Sequence, residues 1–320
     1  MQRKVLVTSS SFGEVSDEPI EILKRTVMQV DFENGIYDEE KFLSKIKGYD
    51  ALIIGAHDLS SKAMGIAEKL KIVCKHGTGL DNINLDAAKK HNICVTNAPA
   101  TNSNAVADMA FGLMLDVARR ITTSANQVKN GLWERRENIG TDIYKKTLSL
   151  VGFGAIARNM ARRAAGFDMD VYAYDPFIKN PPKEFSFVKL VSFEEALEKA
   201  DFLSLHVPLS EKTKNMVGME QMSVMKKGSF LINTSRGGIV DEQALFENLS
   251  DDHLAGAGLD VTTQEPPVGS PLLSLNNVII VPHIASYSRE CLNAVSMICA
   301  NNIHKFFSGE KPDYIVVSNN

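Results

Sequence analysis

The sequence lacks any uninterrupted apolar run long enough for a membrane helix, which takes roughly 20 residues, so no membrane partner is expected. It also lacks a surplus of positive charge. The formal net charge is −4 at pH 7, and phosphate backbones select basic faces, so nucleic acid is excluded as the main partner. A local basic pocket stays compatible with that balance. Cysteine is scarce: Cys74, Cys94, Cys291 and Cys299 form no CxxC pair and read as small core residues of a cytoplasmic protein, kept reduced. No His, Cys, Asp or Glu spacing suggests a metal site. Short repeats and low-complexity linkers are missing as well. The opening MQRKVLVTSS reads as a strand, not as a charged start followed by a long apolar secretory core.

What is present is ordinary globular material, 44% hydrophobic and 23% charged over 320 residues, a length that suggests about two domains. Short β-rich runs alternate with helical patterns. Strands are expected at Lys4–Thr8, Ala51–Gly55, Ile72–Lys75 and Ile93–Asn97, then at Thr147–Gly152, Asp170–Asp175, Phe202–Val207, Ser229–Thr234, Leu254–Asp260 and Val278–Pro282. Several are nearly continuous apolar runs, the pattern of strands covered by helices on both faces. Helices are expected at Asp38–Lys47 and Ser61–Leu70 among others. This βαβα order predicts an α/β fold with parallel sheets and right-handed crossovers. Two longer helical patterns, about Ser103–Val128 and Ser288–Phe307, break the rhythm and read as bridges between two domains. The chain is then expected to leave a first domain near residue 100, build a second, and return near 290. Asp313–Val317 closes against the first.

The strongest local signal is Thr147-Leu-Ser-Leu-Val-Gly-Phe-Gly-Ala-Ile-Ala157. An apolar strand runs into Gly152-x-Gly154-x-x-Ala157 and then into a helix, the setting of a dinucleotide fingerprint. Gly152 permits a tight turn, Gly154 lets a pyrophosphate approach the backbone, and the helix start offers N–H groups to phosphate. The next strand ends in Asp175, eighteen residues past Ala157. A carboxylate there accepts hydrogen bonds from ribose hydroxyls and repels a 2′-phosphate, which favours NAD over NADP. Neither a Walker lysine nor a kinase catalytic loop is present.

Reducing a keto acid beside such a cofactor makes three demands: a cation for the carboxylate, a proton donor for the carbonyl, and a group that tunes the donor. Three strand ends offer candidates. Arg236, followed by two glycines, can present its fork to a carboxylate. Glu265 is held by prolines. His283 follows a strand and a proline, and a hydrogen bond from His283 to Glu265 would fix its tautomer and favour imidazolium. His206, also at a strand end, competes for the proton-donor role. The spacing by itself does not bring these groups together.

Taken in order, these motifs resemble the D-isomer-specific 2-hydroxyacid dehydrogenase family over nearly the whole length. They run from His76-Gly-Thr-Gly-Leu-Asp-Asn82 through the Ser103 helix, Gly152–Ala157, Asp175 and His206-Val-Pro-Leu to Asn233-Thr-Ser-Arg-Gly-Gly-Ile-Val-Asp-Glu242, Asp260–Pro266 and Pro282-His-Ile. The resemblance implies two Rossmann/flavodoxin-like domains with parallel sheets. The substrate (catalytic) domain would be discontinuous, over residues 1–101 and 288–320, with the NAD-binding Rossmann domain over 102–287. It implies NAD as cofactor, a small 2-hydroxy or 2-keto acid as substrate, a homodimer formed through the nucleotide domain, and catalysis in the cleft between domains. Arg236, Glu265 and His283 would be catalytic. Thr78, Gly152, Gly154, Ala155, Ile156, Asp175, His206, Val207, Pro208, Thr213, Thr234, Ser235, Arg236, Asp260, His283 and Ser286 would line the cofactor. Lys75, His76, Gly77, Arg135 and Arg236 would meet substrate.

Within the family the likeness is to members that oxidise 3-phosphoglycerate, which would place the chain in serine biosynthesis. Asn130-Gly-Leu-Trp-Glu-Arg-Arg136 is similar to a segment whose arginine reaches a neighbouring subunit's substrate phosphate, and Lys75 sits where an arginine is common. Two departures stand out. Gly55 occupies the place of a phosphate-binding arginine, and the sequence ends without the regulatory domain of longer members. Reduction of glyoxylate, hydroxypyruvate or a D-lactate-type keto acid is therefore the alternative. A non-enzymatic NAD-sensing corepressor is the alternative of another class.

Overall fold

In the computed structural model, residues 3–26, 28–33, 35 and 37–318 are described. Met1, Gln2, Asn319 and Asn320, which the sequence assigns to the ends of the first domain, lie outside them. The chain resolves into two units, Met1–Asn102 with Tyr287–Asn320, and Ser103–Ser286.

The first unit begins with β1 (Arg3–Val7), α1 (Glu18–Arg25), β2 (Met28–Phe32), α2 (Glu39–Ile46), β3 (Ala51–Ile54), α3 (Ser61–Ile66), β4 (Ile72–Lys75), α4 (Leu85–Lys90) and β5 (Cys94–Thr96). The second unit contributes α5 (Ser103–Arg119), α6 (Ile121–Lys129), β6 (Thr147–Val151), α7 (Ala155–Ala165), β7 (Asp170–Tyr174), β8 (Lys189–Leu190), α8 (Phe193–Lys199), β9 (Phe202–Leu205), α9 (Met219–Ser223), β10 (Ser229–Asn233), α10 (Glu242–Ser250), β11 (Leu254–Leu259) and β12 (Val278–Ile280). The chain then returns to the first unit as α11 (Arg289–Phe307) and β13 (Ile315–Val317).

The first sheet has the order β2-β1-β3-β4-β5-β13. Its first five strands are parallel in the doubly wound 2-1-3-4-5 arrangement, and β13 corrects the all-parallel expectation. Ile315 and Val317 pair antiparallel with Thr96 and Val95. β3 is buried at every position, and Leu6, Leu52, Ile54 and Val73 pack with Phe42, Ile46 and Met64 from the helices.

The second sheet has the order β8-β7-β6-β9-β10-β11-β12 and is parallel throughout. Its order reverses between β6 and β9, the place where open α/β sheets bind ligands beyond their strand C-termini. Leu148 and Leu150 of β6 face a core shared with α5 and α7, while Val151 faces the opposite core with Leu203, Leu205 and Leu231. Burial on both faces is what near-continuous apolar strands require. Register then sets the site. Val151, Tyr174, Leu205, Asn233, Leu259 and Ile280 lie in one row across the sheet. The next residue of five of these strands is Gly152, Asp175, His206, Thr234 or Asp260, so these five share one edge.

Several expected boundaries change. Most strands end one or two residues early, because the chain turns at Gly152, Asp175, His206, Thr234 and Asp260. β2 and the two-residue edge strand β8 were not expected. The helix expected over Ser61–Leu70 stops at Ile66, where Ala67 N bonds back to Met64 O and tightens the last turn. The Ser103–Val128 pattern is two helices. Arg120 takes a left-handed conformation (φ 53°). The Asp116 carboxylate then accepts from Thr122 N at 2.7 Å and Thr122 Oγ1 at 2.6 Å, giving α6 its own cap. α5 belongs wholly to the second unit and α11 wholly to the first. No helix among the described residues is long and apolar enough to cross a membrane.

Candidate active site

The fingerprint loop follows β6. Gly152 has φ 90°, and a Cβ on it would fall 2.5 Å from His206 O, so neither the conformation nor the space admits a side chain. A Cβ on Gly154 would meet no protein atom within 4 Å, leaving the backbone approachable from that side. Between the glycines, Phe153 is fully buried and edge-on to Phe185 at 5.6 Å. Its N–H donates to Asp175 Oδ2 (2.9 Å), and its carbonyl accepts from Arg158 Nε (3.1 Å). The loop is thus pinned through both backbone polar groups of one residue. Ala155 and Ile156 open α7, and Ala157 is buried against β6. Asp175 Oδ1 accepts from Phe177 N at 2.9 Å, so the carboxylate is oriented by two backbone donors.

Further along the edge, His206 Nε2 lies 2.9 Å from Ser204 Oγ. Burial drives its pKa down to about 3, so the ring is neutral and ill suited to donate a proton near neutral pH. His206 Nδ1 and Thr234 Oγ1 are buried without a partner among the described residues. Native interiors rarely leave such atoms unpaired. With the open Gly154 and the oriented Asp175 carboxylate, they fit a dinucleotide laid along the edge. Val207 packs on the core beneath, and Pro208 is exposed. Thr213 Oγ1 donates to Pro208 O (2.6 Å) and accepts from Ser210 N (2.8 Å), and Ser235 Oγ donates to Leu205 O at 2.6 Å. These two hydroxyls are committed to closing loops. Ser286 is half-buried just past Ala285.

Asp260 is 1% exposed. Its carboxylate accepts from Ile284 N (2.7 Å) and Ala285 N (3.0 Å), and its carbonyl accepts from His283 N (2.9 Å). Burial raises its pKa, opposed by those two N–H groups. His283 is held with φ 53°, and its Nδ1 lies 2.8 Å from Glu265 Oε2. The His283 and Glu265 side chains are 49% and 41% exposed. The hydrogen bond to Glu265 raises the His283 pKa, and that outweighs burial. Burial alone would raise Glu265, but the His283 hydrogen bond and charge hold it below the usual carboxylate range. The Arg236 cation lowers both pKa values, so it stands close enough to act on the pair. Arg236 Nη1 also donates to Ser235 O at 2.7 Å. The structure therefore gathers a guanidinium, an imidazole and a carboxylate at the ends of β10, β11 and β12.

In the first unit, Lys75 Nζ donates to Gly55 O (2.5 Å) and Asn82 Oδ1 (2.8 Å). His76 is engaged at both nitrogens, with Ser9 Oγ at 3.0 Å and Ser296 Oγ at 2.9 Å, and burial lowers its pKa to about 4. Gly77 has φ 152°, and Thr78 Oγ1 donates to Ala98 O at 2.9 Å. Arg135 is exposed in the loop after α6.

Residues 111–285 match the family model for the NAD-binding domain of D-isomer specific 2-hydroxyacid dehydrogenases. The chain belongs to this family. A D-3-phosphoglycerate dehydrogenase of Methanocaldococcus jannaschii is 38% identical over 98% of the chain, which spans 59% of that relative's length. A glyoxylate reductase of Korarchaeum cryptofilum is 40% identical over 86% of the chain and 84% of its own length. The crystal structure of the TT0316 protein from Thermus thermophilus superposes with a TM-score of 0.91 at 34% identity, covering 98% of this chain and all of the other. The dehydrogenase fold thus extends over both units.

The residues that support these groups carry little signal in the sequence. Asn233 organises the Arg236 loop, Phe153 and Arg158 anchor the fingerprint loop, and Ser204 holds His206. Each is of an ordinary residue type for its place, and the contact that gives it a role appears only once the strand ends turn into the loops.

Proposed function

We propose that this protein is an NAD-dependent oxidoreductase, moving a hydride between the nicotinamide and C2 of a small D-2-hydroxy acid. The observation that carries this reading is the 2.8 Å His283–Glu265 pair with Arg236 acting on both. Arg236 holds the substrate carboxylate through its planar fork. Glu265 keeps a proton on Nδ1 of His283, so Nε2 is the working nitrogen. As imidazolium it donates to the carbonyl oxygen in reduction, and as neutral imidazole it takes the hydroxyl proton in oxidation. Asp175 selects an unphosphorylated ribose. Asp260, His206 and Thr234, with Gly152 and Gly154, complete the cofactor edge.

Within this class, 3-phosphoglycerate is the substrate suited to the exposed cations Arg135 and Arg136. A second reading, an unphosphorylated keto acid such as glyoxylate or hydroxypyruvate, is favoured by Gly55. A Cβ there would lie 3.1 Å from Ser9 Cα, so a side chain at this place needs the backbone just past β1 to give by a few tenths of an ångström. The same proposal makes the protein a homodimer through the second unit. α6 has no buried side chain, and beyond it Trp133 and Ile139 are 78% and 80% exposed, an apolar surface of the kind partners cover.

Steady-state rates with D and L forms of glycerate and lactate, 3-phosphoglycerate, glyoxylate and hydroxypyruvate, each with NAD(H) and NADP(H), test the proposal. Preferred turnover of 3-phosphoglycerate supports the first substrate, and preferred turnover of an unphosphorylated keto acid replaces it with the second. Tight NADH binding without turnover of any member would reject the enzyme in favour of a sensor. Light scattering at the mass of one chain would reject the dimer.

A further inference from the structure

β10 ends at Asn233, whose side chain is 1% exposed. Its Oδ1 accepts from Ser235 N at 3.0 Å, and its Nδ2 donates to Arg236 O at 2.9 Å. Its own carbonyl accepts from Asp260 N at 2.9 Å. A side-chain amide meets both the donor and the acceptor of this turn, whereas an ionised aspartate of the same shape only accepts. The other end of the loop is fixed sterically, because a Cβ on Gly237 would lie 2.0 Å from Thr262 C and 2.2 Å from Thr262 O. Thr262 N in turn donates to Glu265 Oε1 at 3.3 Å. Arg236 is thus strung between an amide clamp and a backbone contact. Asp260, bonded to Asn233, also carries the turn that presents His283.

We propose that Asn233 is a positioning residue whose buried amide sets where the Arg236 guanidinium stands relative to the Glu265–His283 pair. The inference rests on the reading of Arg236 as the carboxylate holder. The charged groups acting on His283 are Glu265, Asp260 and Arg236, and those that interact with Glu265 are His283, Arg236 and the like-charged Asp260. Among the described residues, Arg236 is the one charged group that lowers the His283 and Glu265 pKa values together. A guanidinium released from its place relaxes that influence, so both values rise, a signature that loss of packing alone does not give.

The test uses the full chain, the keto acid that the wild type prefers, NADH binding by fluorescence and thermal melting. The Asn233→Ala substitution should raise the keto-acid KM about tenfold or more, as misplacement of a carboxylate clamp does, with the NADH Kd within about twofold. Both limbs of the kcat/KM pH profile should move to higher pH. Asn233→Asp, which keeps the shape but turns an acceptor toward Arg236 O, should do the same and carries the test if the alanine variant fails to fold. Arg236→Ala is the reference. If it raises KM while folded Asn233 variants leave KM and both limbs in place, the positioning role is overturned. An Arg236→Ala variant with unchanged KM overturns the carboxylate assignment itself, and the inference falls with it.

Discussion

The two units carry the same device, a doubly wound sheet of mainly parallel strands with polar residues at its strand ends, and use it differently. In the first unit these side chains bond to one another. His76 is tied to Ser9 and Ser296 and kept neutral by burial. His57 bonds to Thr8 and stacks on Tyr37 at 4.5 Å, with its pKa also lowered by burial. In the second unit two groups are shifted in opposite directions: His283 is raised chiefly by Glu265, while Glu265 ends up lowered through His283 and Arg236 despite its burial. Thr234 and His206 hold buried atoms with no partner among the described residues. Neutral, mutually bonded histidines stabilise a fold. A half-exposed pair with opposed shifts is equipped to move a proton.

The sharpest way to break this contrast is His283→Ala, which should lower kcat by about 10²–10⁴-fold, the usual range for a general acid–base group, while NADH titration shows near-native affinity. Comparable loss from His206→Ala instead would reverse the assignment. Arg236→Ala comes next. Losing a charge-assisted hydrogen bond of about 1.5–3 kcal/mol should reduce kcat/KM by roughly 10–150-fold, mostly as a higher keto-acid KM in initial-rate measurements.

Glu265→Gln has a smaller effect and a clear sign. The hydrogen bond to Glu265 is the largest cause raising His283, so its pKa should fall. Reduction needs imidazolium and is lost as pH rises through that pKa, so the basic limb of the reductive profile should move to lower pH. Oxidation needs the neutral ring, so its acidic limb should move to lower pH as well. Limbs that stay in place would show that the carboxylate does not tune the ring. The smallest effect on chemistry is expected of His76→Ala. It should destabilise the fold by about 1–3 kcal/mol, as breaking a buried hydrogen-bonded network does, with kcat and NADH Kd nearly unchanged. A selective rise in substrate KM would instead make His76 a substrate contact.

The strand succession was legible because burial on both faces leaves an apolar run with little else in it, as in Leu148–Val151 or Phe230–Ile232. Strand ends were less legible, since Gly152, Asp175 and Thr234 continue the local pattern while already turning into the site. β2 escaped notice because polar Gln29 and Asp31 interrupt its apolar positions on the strand that edges the sheet. The break at Arg120 carries no Gly or Pro signal. It depends on Asp116 reaching six residues ahead to Thr122, a choice made by three-dimensional geometry. Arg236, Glu265 and His283 could be nominated as strand-end groups, but the 2.8 Å contact joins residues eighteen positions apart on different loops. Only register places β11 beside β12. Asn233 carries no sign of its role in the local pattern, because two of its partners come from the turn it makes and the third from the end of the neighbouring strand.

The interruption of the first unit also bears on how the chain acquires its structure. Its sheet is completed by β13, and its β4 and α1 are covered by α11, elements synthesised after all of Ser103–Ser286. The inserted unit has every strand of its own sheet within one continuous stretch, so it can fold while the ribosome is still working. The flanking unit must wait for long-range closure, which is slow. During that wait β5 presents an unpaired edge of the sort that invites aggregation. A released chain truncated after residue 286 should therefore resist protease across the inserted unit while residues before 103 remain open to cleavage.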